Sequence, residues 1–200
     1  MMKDGQLEKA FKAITKKAAK SRPVLGCLHV NTDGSAVVTD SHRLLQIKHW
    51  AEEGTSEMTL DLQTFKPQTA VDYPDTSRII PTKFLCTLKV EVRELASLSE
   101  MLKIKTDKGL VQLGFTGEDS RLQVVAETLT TTIPVAKFDG LTGFDITMNA
   151  KYLFDAVEFF KAYNDKRPQE QITLGFSGDI RPMVLKQEDA TYVICPVRTF

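Results

Sequence analysis

The sequence offers little material for catalysis. Asp40, Ser41 and His42 have the residue types of a nucleophile triad, but neighbours in one turn cannot face one another as nucleophile, base and orienting acid. The other histidines, His29 and His49, lie in predicted strands with no His, Asp or Glu at metal-ligand spacing. The sequence contains no glycine-rich phosphate loop and no HExxH motif. The residues therefore indicate neither an enzyme nor a metal or cofactor site.

A row of cations is the stronger chemical signal. Apolar residues recur at helical spacing between positions 6 and 20, and they leave basic side chains along another face of that helix. Such a row can neutralise the phosphates of duplex DNA without reading its bases. A solvated helix face is an equally good interpretation from the residues alone. The candidate DNA-binding residues are Lys9, Lys12, Lys16, Lys17, Lys20 and Arg22.

Composition limits what else the chain can be. Its 200 residues carry 26 Lys+Arg and 26 Asp+Glu, so any electrostatic function is local. Apolar residues make up 42% of the chain, which is enough to bury a core. Cys27, Cys86 and Cys195 are odd in number and far apart, which is typical of a protein in the reducing cytoplasm. Neither a signal peptide nor a membrane span is predicted.

The predicted elements repeat a helix followed by three antiparallel strands. Helices are predicted at 6–20, 91–103 and 149–163, and strands at 25–31, 36–39, 44–50, 110–116, 121–127, 129–135, 172–176, 183–186 and 191–195. The segments Leu113–Gly117 and Leu174–Gly178 have nearly the same letters at equivalent places in two of these units. Residues 51–82 are broken by prolines and turns. They predict a connector with short strands and a domain boundary near Pro81.

Four segments, taken in order, resemble the bacterial DNA polymerase III beta subunit, the sliding clamp. They are SRPVLGCLHVNTDGSAVVTDSHRLLQI, YPDTSRIIP, MNAKYLFDAVEFFKAY and TYVICPVRTF. The first contains Thr39-Asp40-Ser41-His42-Arg43-Leu44, which is similar to the family's Thr-Asp-Gly-x-Arg-Leu signature, with Ser41 in place of the usual glycine. The resemblance implies an α+β clamp fold in which helices line a ring and sheets form its outside. It also implies a protein of DNA replication that is not an enzyme.

The resemblance further implies a pocket for short linear peptides of polymerases and clamp-loader-type proteins. Hydrophobic anchors of such peptides would enter an apolar slot with a basic rim. The matching positions are Leu25, Thr39, Ser41, His42, Arg43, Leu44, Pro74, Arg78, Ile79, Ile180, Pro182, Val193, Ile194, Cys195, Pro196, Val197 and Arg198. Plain core packing is the alternative for each apolar member taken alone.

Departures from the family bear on assembly. The family has three domains, whereas residues 1–82 match an abbreviated middle domain with a connector, and residues 83–200 match a complete last domain. Four copies would be needed to complete the family's twelve-unit ring, and the reduced size suggests a phage or prophage origin. Three hypotheses stay open: a compact sliding clamp, an interaction module that uses the peptide pocket without encircling DNA, and a simple DNA-binding domain that acts through the first helix.

Overall fold

The computed structural model describes residues 4–18, 22–69, 72–103 and 109–198. The chain divides into two compact units. The N-terminal unit holds the described residues of 4–80 together with 188–193, and the C-terminal unit holds those of 81–187 together with 194–198. Among the described residues, no helix is long and apolar enough to cross a membrane. Whether the two units correspond to the middle and last domains of a clamp stays a prediction.

The N-terminal unit packs one helix against an antiparallel sheet. Helix α1 (Asp4–Ala18) buries Leu7, Phe11 and Ile14, the apolar side of the predicted helix. After a short 3-10 helix (Pro23–Gly26), the strands are β1 (Cys27–Val30), β2 (Ala36–Thr39), β3 (Arg43–Ile47) and β4 (Met58–Asp61). They lie in the order β4-β1-β2-β3. On the other side of α1, Lys9 and Lys16 stay exposed.

The connector covers the outer edge of β4. Its chain turns back after β4, so that Asp61 N–H donates to the Lys66 carbonyl at 3.0 Å and Gln68 N–H donates to the Thr59 carbonyl at 2.8 Å. Leu60 also forms a β-bridge with Pro67. The outward backbone groups of β4 are thus used within the chain, which protects this edge from pairing with another strand.

The C-terminal unit contains two similar halves. The first half is β5 (Cys86–Glu91), α2 (Val92–Ala96), α3 (Ser99–Lys103), β6 (Leu110–Phe115), β7 (Arg121–Ala126) and β8 (Leu129–Pro134). After β9 (Lys137–Gly140), the second half is β10 (Phe144–Asn149), α4 (Ala150–Tyr163), β11 (Gln171–Phe176) and β12 (Met183–Gln187). The last strand of the chain is β13 (Ala190–Ile194). Residues 190–193 of β13 belong to the N-terminal unit, where β13 lies beside β3.

The two halves exchange their first strands. β5 pairs with β11 over the full register from Cys86↔Phe176 to Glu91↔Gln171, and β10 pairs with β6 from Phe144↔Phe115 to Asn149↔Leu110. The repeated Leu-Gly-Phe letters fall on the receiving strands β6 and β11, at the same distance from the paired ends. The sequence repeat thus marks an internal structural repeat of the C-terminal unit.

Several predicted elements need correction. The helix predicted at 91–103 is two short helices, because Ser97 Oγ donates to the Glu94 carbonyl and Leu98 N–H donates to the Leu95 carbonyl, three residues back, which tightens the turn. Strands β5, β9 and β10 were not predicted, so each half of the C-terminal unit begins with a strand before its helix. Helix α1 ends at Ala18 among the described residues, and the predicted extension to Lys20 falls outside them.

Candidate functional site

Helix α1 presents part of the predicted cationic row to solvent. Lys9 and Lys16 have exposed side chains and lie two turns apart on the side opposite the buried face. Arg22 is exposed and donates from Nη1 to Ser41 Oγ at 3.3 Å. The structure does not describe the side chain of Lys17, and Lys20 lies outside the described residues. Two lysines and one arginine of the predicted set are therefore exposed, and their DNA-binding role stays a prediction.

Lys12 is engaged within the unit. Its Nζ lies 2.6 Å from Glu8 Oε1 and 5.3 Å from the centre of the Phe65 ring. Phe65 is 57% exposed and has a backbone φ of +55°, which residues other than glycine adopt only rarely. Phe65 was not predicted as a site residue, because one aromatic residue in a loop has no periodicity to reveal it. Lys12 thus contributes less free charge to the surface than Lys9 or Lys16.

Cations on the helices of the C-terminal unit are paired with acids. On α4, Lys151 contacts Asp155 and Lys161 Nζ lies 3.3 Å from Glu158 Oε1. On α3, Lys103 Nζ lies 2.6 Å from Glu100 Oε1. These pairs reduce the net positive charge that each helix offers. Of the helices described, α1 is consequently the best suited to polyanions.

The turn between β2 and β3 is held by a buried ion pair. Asp40 Oδ1 accepts from the backbone N–H groups of His42 and Arg43, both at 2.9 Å. Its Oδ2 accepts from Arg43 Nε at 2.9 Å, and Arg43 Nη2 donates to the Ala13 carbonyl of α1 at 2.9 Å. Arg43 joins this turn to the helix. Its side chain is only 4% exposed, so it does not form the basic rim of a surface pocket in this conformation.

Ser41 adopts a backbone conformation that favours glycine, the residue found at this position in the signature that the segment resembles. Its φ is +75°, in the left-handed region, where a glycine has no Cβ to clash. The Ser41 N–H donates to Thr39 Oγ1 at 3.1 Å, and Thr39 Oγ1 donates to the Arg43 carbonyl at 2.7 Å. The signature resembling the family's is thus a turn whose side chains stabilise its own backbone.

Other predicted pocket residues of the N-terminal unit divide into core and surface. Leu25, Leu44 and Val193 are at most 4% exposed and belong to the core. Ile79 is 41% exposed, and the surface residues of the set are Ser41, His42, Pro74, Arg78 and Ile79. The exposed members can meet a partner directly, whereas the buried ones support the backbone beneath them.

The predicted pocket residues of the C-terminal unit also divide into core and surface. Ile194 is fully buried, whereas Ile180 is 64% exposed. Pro182, Cys195, Pro196 and Val197 are partly exposed and Arg198 is exposed. Val197 N–H donates to the Thr147 carbonyl at 2.8 Å, which fixes this segment along β10. The peptide-binding role of all these residues stays a prediction.

An apolar pocket of about 180 Å³ in the C-terminal unit was not foreseen from the sequence. Its lining includes Leu85, Leu141, Phe144 and Phe176, and the rings of Phe144 and Phe176 lie 4.3 Å apart. Leu85 is 53% and Leu141 63% exposed, so its mouth presents apolar surface. The alternating pattern of 144–149 could have predicted a strand here, but it gives no sign of a pocket.

His29 lies in a polar cluster of the N-terminal unit. Its ring stacks on Tyr73 with centres 4.6 Å apart, while Nδ1 lies 3.0 Å from Thr59 Oγ1 and Nε2 lies 3.1 Å from Glu57 Oε1. Burial lowers the pKa of His29, and the nearby Glu57 carboxylate opposes that change. Among the described residues, no group of three or more His, Cys, Asp and Glu side chains is placed to hold a metal ion. The cluster fastens the connector to β1 and β4.

Comparison with known proteins identifies the architecture. The chain is 28% identical to the beta sliding clamp of Streptococcus pneumoniae over 96% of its own length and 61% of that protein. The crystal structure of the DNA polymerase III beta chain from the same species superposes with a TM-score of 0.74, at 23% identity over 100% of this chain and 64% of that one. The chain has the sliding-clamp fold.

A second solved structure agrees. The DNA polymerase sliding clamp of Bacillus subtilis matches with a TM-score of 0.76 and 19% identity, covering 97% of this chain and 63% of that chain. A scan against models of protein families found no match. The resemblance to the DNA polymerase III beta subunit and the α+β clamp fold are thereby confirmed. The chain spans about three fifths of the curated sliding clamp, at 61% of its length.

Proposed function

We propose that this chain is a sliding-clamp-like protein of DNA replication that is not an enzyme. It holds polymerase or other partners on duplex DNA and binds their short peptides. The observation that carries the proposal is the similarity to a beta sliding clamp along 96% of the chain. Under this proposal the protein acts in the cytoplasm, where bacterial DNA is replicated. The exposed charge of α1 supplies a physical basis for contact with DNA that does not depend on base sequence.

The DNA contact is assigned to Lys9, Lys16 and Arg22. Lys9 and Lys16 are two turns apart on one face of α1, so they can meet phosphates of one strand. Each phosphate contact releases counterions, and binding therefore weakens as salt rises. The Lys9→Glu/Lys16→Glu double variant should bind duplex DNA at least about tenfold more weakly and with a shallower salt dependence.

A charge-matched control separates this contact from net charge. Lys137 and Lys186 are exposed lysines on β9 and β12, and the Lys137→Glu/Lys186→Glu variant makes the same change in net charge. Fluorescence anisotropy with a labelled duplex, measured across a salt series, gives both the affinity and the slope. Equal losses in the two double variants would refute a DNA contact through α1.

The peptide contact is assigned to exposed members of the predicted set. Ile79 and Ile180 are 41% and 64% exposed, so each can pack on a hydrophobic anchor without unfolding the protein. Ile79→Ser and Ile180→Ser should each weaken binding of a synthetic clamp-binding peptide about tenfold, while the thermal midpoint stays unchanged. Wild-type affinity in both variants would overturn the peptide assignment and leave the DNA assignment standing.

A second candidate is an interaction module that binds replication proteins without encircling DNA. It is favoured by the covered edge of β4, because the 66–68 segment occupies the backbone groups that a neighbouring copy would need for strand pairing there. Light scattering across a concentration series distinguishes the two functions. A closed multimer supports a ring, and retention of the protein on nicked circular DNA, with release after linearisation, would establish encirclement.

A further inference from the structure

Phe65 exposes an aromatic ring beside α1. It lies in the turn that follows β4, and it is 57% exposed. Lys12 Nζ on α1 lies 5.3 Å from the centre of its ring. Both residues belong to the N-terminal unit. An apolar ring in water gains free energy when a ligand covers it, so this position can contribute to binding.

Hydrogen bonds hold the backbone that carries Phe65. Asp61 Oδ1 accepts from the N–H groups of Gln63 and Thr64, at 2.8 and 2.7 Å, and from Thr64 Oγ1 at 3.0 Å. Phe65 N–H donates to the Asp61 carbonyl at 2.8 Å, and Asp61 N–H donates to the Lys66 carbonyl at 3.0 Å. The ring is therefore presented from a fixed turn, and little conformational freedom is lost when a ligand covers it.

The backbone of this turn does not call for an aromatic residue. The φ of +55° at Phe65 lies in the left-handed region, which disfavours a residue with a Cβ and would suit glycine. Because Phe65 is mostly exposed, burial of its ring offsets little of this cost. Unfavourable backbone conformations of this kind are concentrated at functional sites. The strained position and the exposed ring together indicate a binding role for Phe65.

The surroundings of the ring are basic. Lys9 and Lys16 lie one helical turn before and one turn after Lys12, with Cβ atoms about 5–6 Å from that of Lys12. Lys66, directly after Phe65, is exposed. The stretch of α1 from 8 to 16 and the turn 61–66 together carry four lysines and two acids, which are Glu8, Lys9, Lys12, Lys16, Asp61 and Lys66. A ligand on the ring therefore has cations of both the helix and the turn within reach.

We propose that this surface binds single-stranded DNA, with one unpaired base stacked on the ring of Phe65. Lys9, Lys16 and Lys66 then contact the phosphates next to that base. Every base has an aromatic face, so such stacking does not depend on sequence. Lys12 stays beside the ring, where its ammonium group is attracted to the π-system. The inference rests on the DNA contact proposed for α1 and adds to it a contact with an unpaired base.

Single-stranded DNA suits this surface better than duplex DNA or a protein segment. In a duplex the faces of each base are covered by its neighbours, and the base must leave the stack before a side chain can cover it. A duplex could meet the lysines but would leave the ring in water. An apolar protein segment could cover the ring but would leave the lysines without anionic partners. A single strand supplies phosphates and open base faces together.

Substitution of the ring tests the stacking contact. Phe65→Leu keeps an apolar side chain and the Cβ but has no aromatic face, whereas Phe65→Trp keeps a face for the base. Phe65→Leu should bind a labelled oligothymidylate at least about tenfold more weakly than the wild type, measured by fluorescence anisotropy. Phe65→Trp should bind it at least as tightly as the wild type. Wild-type affinity in Phe65→Leu, or equal losses in the two variants, would overturn the stacking contact.

Salt dependence and duplex binding separate the ring from the lysines. Phe65→Leu should keep the wild-type salt dependence for the single strand, because no phosphate contact is removed. Its affinity for a blunt duplex of the same length should match that of the wild type. A loss of duplex affinity in Phe65→Leu would mean that the ring supports α1 and does not stack on a base.

The two DNA proposals fail in different ways. Lys9→Glu/Lys16→Glu should weaken binding of both the duplex and the single strand, with a shallower salt dependence for each. Wild-type affinity of this variant for both ligands refutes the phosphate contacts of α1, whatever the result at Phe65. Weakened binding of both ligands by the lysine variant, with no effect of Phe65→Leu, refutes the stacked base alone.

Photo-cross-linking locates the base directly. An oligothymidylate that carries one iodinated uracil becomes joined, on irradiation, to an aromatic side chain on which that base stacks, and mass spectrometry identifies the modified residue. The adduct should be on Phe65, and an adduct elsewhere contradicts the proposal. Light scattering should give the same molar mass for the wild type and Phe65→Leu. A lower mass for the variant would show that the ring packs against a second copy of this chain, which also overturns the proposal.

Discussion

Arg43 and Asp40 form a hydrogen-bonded ion pair whose side chains are 4% and 8% exposed. The pair closes the turn between β2 and β3, and the same guanidinium group reaches the Ala13 carbonyl of α1 at 2.9 Å. Sequence resemblance gives Arg43 a place in a peptide pocket, whereas its contacts make it the link between that turn and the helix. The two roles predict different outcomes for its removal.

We expect Arg43→Ala to destabilise the N-terminal unit. The substitution leaves the Asp40 carboxylate buried without its cation, which typically costs about 3–5 kcal/mol. Urea denaturation should therefore show a free energy of unfolding lower by that amount. Arg78→Ala is a matched control, because Arg78 and Asp75 are also an Arg–Asp pair three residues apart, with the arginine side chain 90% exposed. Its effect should stay within about 0.5 kcal/mol, as surface pairs contribute little. Similar losses in both variants would contradict a structural role for Arg43.

Ser41 should be replaceable by glycine with a gain in stability. A left-handed φ costs a residue with a Cβ about 1–2 kcal/mol, and a glycine avoids this cost. Because glycine is also more flexible in the unfolded chain, part of that gain in stability is offset. Ser41→Gly should therefore raise the free energy of unfolding by up to about 1 kcal/mol, although the hydroxyl contact with Arg22 is lost. Ser41→Ala has the same lost contact without the backbone relief, and its stability should fall below that of the wild type. Thermal and urea denaturation of the three proteins measure the order.

Local sequence patterns predicted most elements of this fold. The 3.6-residue spacing of Leu7, Phe11 and Ile14 located α1, and the helix predicted at 149–163 matches α4, where the N-cap Asn149 accepts with its Oδ1 from Lys151 N–H at 3.0 Å. The strand β5 was missed although Cys86, Leu88 and Val90 alternate with more exposed residues, because no element was predicted between Pro81 and the helix at 91–103. The missing information there was in the sequence.

Other features have no local signal. The burial of Arg43 depends on a carbonyl thirty positions earlier, and the covered edge of β4 depends on where the connector returns. Leu25 and Leu44 match pocket positions by resemblance, but both are core residues in this structure. Such properties arise from tertiary packing, which the spacing of residues along the chain does not encode.

The stability of the N-terminal unit should depend on the protonation of His29. Burial lowers its pKa in the folded protein below the ordinary histidine value of about 6.5, so the neutral ring favours folding. This contribution is fully present above pH 6.5 and is lost as the pH falls through that value toward the lower pKa of the folded state. The urea concentration at the unfolding midpoint should therefore decrease as the pH is lowered from about 7.5 to about 5.5. In His29→Gln this decrease should be smaller. His42→Gln, at an exposed histidine, should keep the wild-type slope. A wild-type slope in His29→Gln would refute the assignment.

Gly114 and Gly175 occupy equivalent places in the repeated Leu-Gly-Phe segments, and they should respond differently to alanine. A Cβ at Gly175 would lie 2.5 Å from the Phe84 ring, with further ring atoms at 2.6 and 2.9 Å. A Cβ at Gly114 would meet one close atom, Asp145 Oδ1 at 2.6 Å, at the end of a short polar side chain. The carboxylate can rotate away, whereas the whole Phe84 ring must leave its place against β11. Gly175→Ala should cost about 1–3 kcal/mol, as overpacking does, and Gly114→Ala clearly less. Denaturation of the single variants and of Gly175→Ala combined with Phe84→Leu checks the cause, since the smaller side chain should recover part of the loss. If the combined variant loses as much unfolding free energy as Gly175→Ala and Phe84→Leu lose in sum, the two sites are independent. Contact with the Phe84 ring would then not be the reason for a glycine at position 175.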